Sequence, residues 1–443
     1  MKIALLHVKN GYDVGWNEPI WPAYLKSYCQ KYVPHLKADW SYVDSVSDAA
    51  GADVLGISCL SQDWDLAKSA ISGAKKLGIP QIILGGQHIT VFPNMAPDGV
   101  SVVKGSGERP FAKIIADLAG CDSYTWRHRD LDDIPIPDRR FVKRSGKTPY
   151  ILTSRGCPFR CSFCSSGCGS EFSQHGARRI IAEILDILKL YPTTRKLTIW
   201  DDLFAANKTR LQELIDLMRS LKMLGMVKFQ SSMRASIVDE PVCSLIKTLG
   251  ITRVGIGAES GSDRLVKQLK DIRCSVSSNQ KALDIMSGFN IKAGCGIIFG
   301  HWTETESDIL ETYRWLMKNY AQMKLSKHTI SILTPIPGTP VWAWAEKHGH
   351  VSRNHGFNWQ RLRNITLTNN TKEGRDRWFR QRVKDDSVYL NQQRIPQQTL
   401  FGIIEHYENR IARGDFGVRG KIGAGTIVKA RHLASRIRES VAA

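Results

Sequence analysis

The sequence predicts an α/β protein in which a doubly wound parallel sheet over residues 1–125 and a linker at 126–148 precede a partial (β/α)6 barrel at 149–345. A basic, mostly helical segment follows at 346–443. Three observations predict this. Short apolar runs alternate with helix-period segments twice along the chain, the pattern of βα units. The stretch between the two runs contains Ile134-Pro135-Ile136-Pro137-Asp138, where two close prolines forbid regular helix and disfavour a central strand. At 443 residues the chain also exceeds one average domain.

In the N-terminal run, residues 2–8 read as a strand, 19–33 as a helix and 53–60 as a buried strand. A helix from Trp64 to Leu77 and a strand at 79–86 follow. Ligands of such sheets bind at strand carboxyl ends, where glycine lets a large group approach the backbone. Gly85-Gly86 and Gly105-Ser106-Gly107-Glu108 stand there. His88, just beyond, either approaches such a ligand or is merely hydrogen-bonded.

The second run carries strands near 150–154, 196–200, 227–233, 251–257, 291–299 and 327–333. Ile181, Ile184, Leu185 and Leu188 mark one helix face. Barrel sites form at strand carboxyl ends. After the first strand comes TSRGCPFRCSFCSSGCG, residues 153–169, in which Cys157, Cys161 and Cys164 have the spacing C-x3-C-x2-C. Thiolates are soft ligands for zinc or iron–sulfur clusters. Three cysteines on a cubane leave one iron open to chelate the amino and carboxylate groups of a small molecule. Cys168 would complete a zinc set, but structural zinc sites usually take two ligand pairs separated by a longer loop. Ten cysteines in 443 residues do not make a disulfide framework.

Cys157-Pro-Phe-Arg-Cys161-Ser-Phe163-Cys164 resembles the cluster motif of the radical S-adenosylmethionine (SAM) enzymes, and Ser154-Arg155-Gly156 resembles their cobalamin-binding branch. The resemblance implies a [4Fe–4S] cluster on the three cysteines that reductively cleaves SAM to a 5′-deoxyadenosyl radical. Further segments resemble the branch in order: Asp53 to Ser58, Leu84 to His88 and Gly105 to Glu108 in a cobalamin-type domain. In the barrel they are Asp201-Asp202-Leu203-Phe204, Gly257-Ala258-Glu259-Ser260-Gly261, Gly294 to Gly300 and Thr334 to Pro340. By resemblance, Phe163, Asp202, Arg234, Glu259, Ser260, Gly296, Ile298 and Gly300 surround SAM. Ser58, Gly85, Gly86, Gln87, Gly105, Gly107 and Glu108 surround cobalamin; no catalytic residue is named. His301-Trp302-Thr303-Glu304-Thr305 departs from the branch's Gly-x-Pro-Gly-Glu-Thr, and the Asp-x-His-x-x-Gly loop that supplies a histidine to cobalt elsewhere is absent.

The implied activity is methylation of an unactivated carbon of a small molecule. A non-methylating oxidation, cyclisation or rearrangement, and RNA modification, stay open beside it. Implied partners are a small-molecule substrate, for which an anion stays open, and an external electron donor of flavodoxin or ferredoxin type. From residue 351 the tail holds 18 Lys and Arg against 8 Asp and Glu, half of the chain's formal charge of +20. Trp359, Trp378, Phe379, Tyr389 and Phe401 among these cations admit RNA contact, although Arg375, Arg377, Arg380 and Arg382 spread round a helix rather than forming a stripe. A cap over the barrel is the simpler expectation. No apolar run reaches membrane-spanning length, and free cysteines without a signal-like leader point to a reducing cytoplasm.

Overall fold

The computed structural model describes residues 1–8, 19–121, 130–142, 149–167, 171–353, 356–362, 366–367 and 387–416. Cys168, Trp378, Phe379, Arg375, Arg377, Arg380 and Arg382 lie outside them.

Five parallel strands form the first sheet: β1 (Lys2–His7), β2 (Asp39–Val43), β3 (Val54–Ser58), β4 (Gln81–Gly85) and β5 (Val100–Val102). Their order, β2-β1-β3-β4-β5, reverses direction beside β1, so the strand ends open a crevice there. β1, β3 and β4 are the strands expected from sequence. β2 and β5 were not, because Asp39–Val43 is only partly buried and Val100–Val102 is too short to show a period. Helices Trp21–Tyr32, Trp64–Lys76 and Glu108–Leu118 cover the two faces.

The second sheet has seven strands: β6 (Tyr150–Ile151), β9 (Lys196–Ile199), β10 (Lys228–Met233), β11 (Ile251–Glu259), β12 (Lys292–Phe299), β13 (Lys327–Ile332) and β14 (Thr366–Leu367). The first six are mutually parallel, the expected six βα units. β14 adds an antiparallel edge beside β13. Residues 150–154 do not form one strand: β7 (Ser154–Arg155) leaves the barrel to pair with β8 (Ser173–Gln174), which turns the chain outward into the cysteine loop. Strand alternation sends Val254, Ile256 and Ala258 of β11 into the helix layer, where they join one large apolar core. On the helix Ala177–Leu190, Ile180, Ile181, Ile184 and Ile187 are buried, whereas Leu185 is 48% exposed.

The two sheets share a packed boundary. Trp342, Trp359, Val388 and Leu390, from beyond the barrel, bury against Trp64, Ile89 and Phe92 of the first sheet's helical face. Trp359, Tyr389 and Phe401 are therefore core residues, not exposed stacking platforms for RNA. In the linker, Arg139 is 1% exposed and donates to Glu183 at 2.5 Å, while Arg179 donates to the other Glu183 oxygen at 2.8 Å. Among the described residues no helix is long and apolar enough to cross a membrane.

Candidate active site

The cysteine loop is built rigidly. Gly156, at φ +74°, turns the chain after Arg155, and its amide donates to Asp202 Oδ2 at 3.1 Å. Ser166 Oγ donates to the other Asp202 oxygen at 2.6 Å. Ser162 anchors the middle: its amide donates to the Leu269 carbonyl at 2.8 Å, and its carbonyl accepts from Val341 N at 3.1 Å. Cys157, Cys161 and Cys164 are free thiols, each half-buried. Burial pushes the Cys161 thiol up to about 11 and raises that of Cys157, so a thiolate here calls for compensating positive charge. Arg234 lies 3.4 Å from Cys161 Sγ and supplies part of it.

Among the described residues no three His, Cys, Asp or Glu side chains gather as a single metal ion would require. A cubane differs, because its irons sit at separate corners and each takes its own thiolate. The three-cysteine loop suits a cubane cluster, with one thiolate for each of three irons.

Several residues expected round SAM have protein partners. Arg234 stacks on Phe159 at 3.9 Å and also reaches Asp271 at 2.5 Å and Cys274 Sγ at 2.7 Å, so its fork is filled by groups round the loop. Asp202 is likewise engaged as a loop anchor. Its neighbour Asp201 accepts from Thr153 N at 2.6 Å, Thr153 Oγ1 at 2.5 Å and Ser154 Oγ at 2.8 Å, and is structural. Glu259, at φ +64°, is buried 3.4 Å from Lys270 Nζ; burial raises its carboxyl, and Lys270 opposes that shift. Ser260 is 1% exposed, shares a hydrogen bond with Thr312 Oγ1 at 3.1 Å and accepts from Ser262 N, so it braces the turn after β11. Phe163 and Ile298 pack against the shared boundary core. Gly296 faces the barrel cavity, and Gly300 closes β12 at φ +93°. Glu304, fully buried, accepts from Gly300 N at 2.6 Å; burial pushes its carboxyl up to about 8, and it fixes the turn that departs from the family pattern.

In the first sheet a slot of about 200 Å³ opens at the strand ends, lined by Ser58, Gly85, Gly86, Gly105, Gly107 and Glu108. A Cβ on Gly86 would stand 2.4 Å from the Cys59 carbonyl oxygen and 3.0 Å from Ser58 Oγ, so only glycine keeps this edge open. The slot thus fits the flat insertion a cobalamin tail demands. Gln87 does not line it. Its amide donates to the Pro337 carbonyl at 3.2 Å and accepts from Ser61 Oγ at 2.9 Å, tying the first sheet to the turn after β13. His88 is also elsewhere: fully buried, it stacks on Trp64 at 4.4 Å, meets Trp359 edge-on at 4.7 Å, and pairs with Ser61 at 3.1 Å. Its position answers the open question from sequence in favour of a buried, hydrogen-bonded histidine.

Sequence reasoning missed the residue that joins the two halves. Arg155, two positions before Cys157, pairs with Glu108 at 2.7 Å and lies over the Tyr24 ring at 5.0 Å. Glu108 lines the slot, so one ion pair links the slot wall to the cysteine loop. The motif Ser-Arg-Gly contained the signal, but its partner lies far earlier in the chain.

Residues 151–316 match the family model described as the radical SAM superfamily. An uncharacterized methyltransferase of Pyrococcus horikoshii is 27% identical over 372 residues, 74% of this chain and 78% of that protein. The solved structure of TsrM, a radical SAM methyltransferase from Kitasatospora setae with cobalamin and a [4Fe–4S] cluster bound, is similar in fold. Its TM-score is 0.62 at 14% identity, covering 99% of both chains. The cobalamin-dependent SAM radical enzyme OxsB with aqua-cobalamin bound has a TM-score of 0.66 at 16% identity, covering 99% of this chain and 79% of that one.

Proposed function

We propose that this chain, whose residues 151–316 match the radical SAM family model, is a cobalamin-dependent radical SAM methyltransferase that acts on an unactivated carbon of a small molecule. The observation that carries this reading is the Arg155–Glu108 pair, which joins a glycine-edged slot to a three-cysteine loop. When bound, the cluster with SAM supplies hydrogen abstraction and cobalamin supplies the methyl carrier.

The chain's own part is positional and electrostatic. Cys157, Cys161 and Cys164 would hold the cluster, and the Arg234 guanidinium beside Cys161 favours its thiolate. Asp202 and Leu269 fix the loop from two sides, so the cysteines cannot drift apart when the thiols ionise. Ser58, Gly85, Gly86, Gly105 and Gly107 would admit the corrin tail along bare backbone. An external donor of flavodoxin or ferredoxin type would supply the electrons that the cluster needs, in a reducing cytoplasm.

The test is an anaerobic preparation reconstituted with iron, sulfide and hydroxocobalamin, then given SAM and a strong reductant. The expected result is bound iron and cobalt together, with release of both deoxyadenosine and S-adenosylhomocysteine. Deoxyadenosine without S-adenosylhomocysteine and without bound cobalt would overturn the methyl-transfer assignment and leave a non-methylating radical enzyme of the same architecture. Iron-free protein that binds zinc would overturn the whole reading.

A further inference from the structure

In a closed βα barrel, bulky aliphatic side chains fill the interior. Here a cavity of about 440 Å³ remains on the concave face. Gly255 and Gly257 of β11 and Gly294 and Gly296 of β12 line it without side chains. Polar groups take the flanks: Gln230 donates to Thr198 Oγ1 at 2.7 Å.

Two cations also line the cavity, Arg253 near the start of β11 and Lys327 at the start of β13, both half-buried. Gly255 pairs with Gly294, and Gly294 with Lys327, so Arg253 stands two residues below the level of Lys327. Two strand spacings, about 10 Å across, and two residues of rise, about 7 Å along, separate their backbones, a span of the order of the combined length of an arginine and a lysine side chain. The Lys327 stem lies against Gly294, 3.4 Å from where a Cβ there would stand. Among the described residues neither cation has a hydrogen bond or ion pair, and neither has a further contact of that kind. Asp201, the carboxylate in the lining, has both oxygens occupied by Thr153 and Ser154. At the opposite end, beside the cysteine loop's anchor Asp202, Trp200 is 56% exposed.

We propose that this cavity holds a substrate with an anionic group, carboxylate or phosphate, gripped by Arg253 and Lys327, and an apolar body directed past Trp200 toward the cysteine loop. The inference rests on the enzymatic reading above in calling the bound molecule a substrate. Two partly desolvated cations without counter-charge are costly, and an anion offsets that cost through charge-assisted hydrogen bonds. The distal grip also leaves the opposite end of the molecule as the part presented for reaction.

The test is calorimetric titration of the cluster-loaded full chain, its cofactor site filled with S-adenosylhomocysteine, using phenyl phosphate in one arm and phenylacetate in the other. One-to-one binding of either probe, weakened about tenfold or more in Arg253→Gln and in Lys327→Gln and at least partly recovered in Arg253→Lys, upholds the proposal. The arm that binds assigns phosphate or carboxylate. Failure of both probes to bind at about millimolar concentration, or equal binding by the wild type and the R253Q/K327Q double variant, overturns it. Deoxyadenosine release by the wild-type sample is measured in parallel. Its absence defeats the enzymatic reading while the anion result stands, so the two failures are distinguishable.

Discussion

Replacing Gly86 by alanine tests whether the slot at the strand ends is a built site. Gly86 has φ +99°, and its new methyl would meet the Cys59 carbonyl oxygen at 2.4 Å and the Cys59 amide at 2.8 Å. Both contacts are backbone, and the Cys59 amide is itself bonded to the Gly85 carbonyl at 3.3 Å. The β3 end must therefore withdraw by roughly 1 Å to restore ordinary contact. With ψ 178° Gly86 has an extended positive-φ backbone that essentially only glycine adopts, so an alanine there costs about 1–3 kcal/mol, and overpacking adds about 1–3 kcal/mol. Gly99 is the comparison, with φ +74° and nothing within 4 Å of a Cβ, so an alanine there bears the cost of its own positive-φ backbone and no overpacking.

Urea unfolding should show Gly86→Ala less stable than Gly99→Ala by at least the overpacking cost, about 1–3 kcal/mol. Cobalamin binding, followed by visible absorbance, should weaken in Gly86→Ala and persist in Gly99→Ala, because Gly86 and Ser58 line one slot. Equal stability of the two variants, or wild-type cobalamin binding by Gly86→Ala, would refute the reasoning.

Further outcomes follow from the same structure. Burial lowers His88 from 6.5 to about 4, so as pH falls the unfolded chain takes up a proton that the folded chain refuses. Stability present above pH 6.5 is then lost down to about pH 4, by about 3 kcal/mol from this group. In the His88→Phe variant that part of the pH slope should vanish from urea midpoints while cobalamin binding is kept; an unchanged slope counts against burial as its origin. Arg139→Met should cost about 2–4 kcal/mol, below a fully stranded buried charge because Arg179 still holds Glu183. An unmoved urea midpoint would deny the linker its clamping role. Cys161→Ala should lose bound iron and sulfide after reconstitution, whereas Cys274→Ala should retain them; equal iron in the two would remove Cys161 from the ligand set.

Much of the architecture was legible because it is periodic. The barrel strands alternate apolar residues for the helix layer with glycines and polar residues for the cavity, and that pattern survives in sequence as Arg253-Val254-Gly255-Ile256-Gly257. Asp39–Val43 and Val100–Val102 escaped because they are partly buried or short. The cysteines were legible through spacing alone. The bracing contacts of Asp202, Arg234 and Ser260 were not, because each is made to a neighbour distant in sequence: Gly156 and Ser166, Asp271 and Cys274, and Thr312. A charged residue beside a cofactor motif presents the same letters whether it meets the cofactor or braces its loop. Gln87 shows the reverse error, since a polar residue after Gly85-Gly86 suits the slot in sequence yet turns to Pro337 in space.

These bracing contacts bear on how the two sheets work together. Among the contacts that cross between them are three: Arg155 with Glu108, Gln87 with the Pro337 carbonyl, and Trp359 over His88. They differ in kind, one ionic, one neutral and polar, one aromatic, and they start from different segments of the barrel side. A hinge between the sheets would have to break all three, including a contact between two buried aromatic groups. Together they hold slot and loop in one orientation, and under the proposed reading it is the substrate that moves. This places the demand for specificity on the cavity between Trp200 and the Arg253–Lys327 end, where glycine leaves room and the cations lack partners among the described residues.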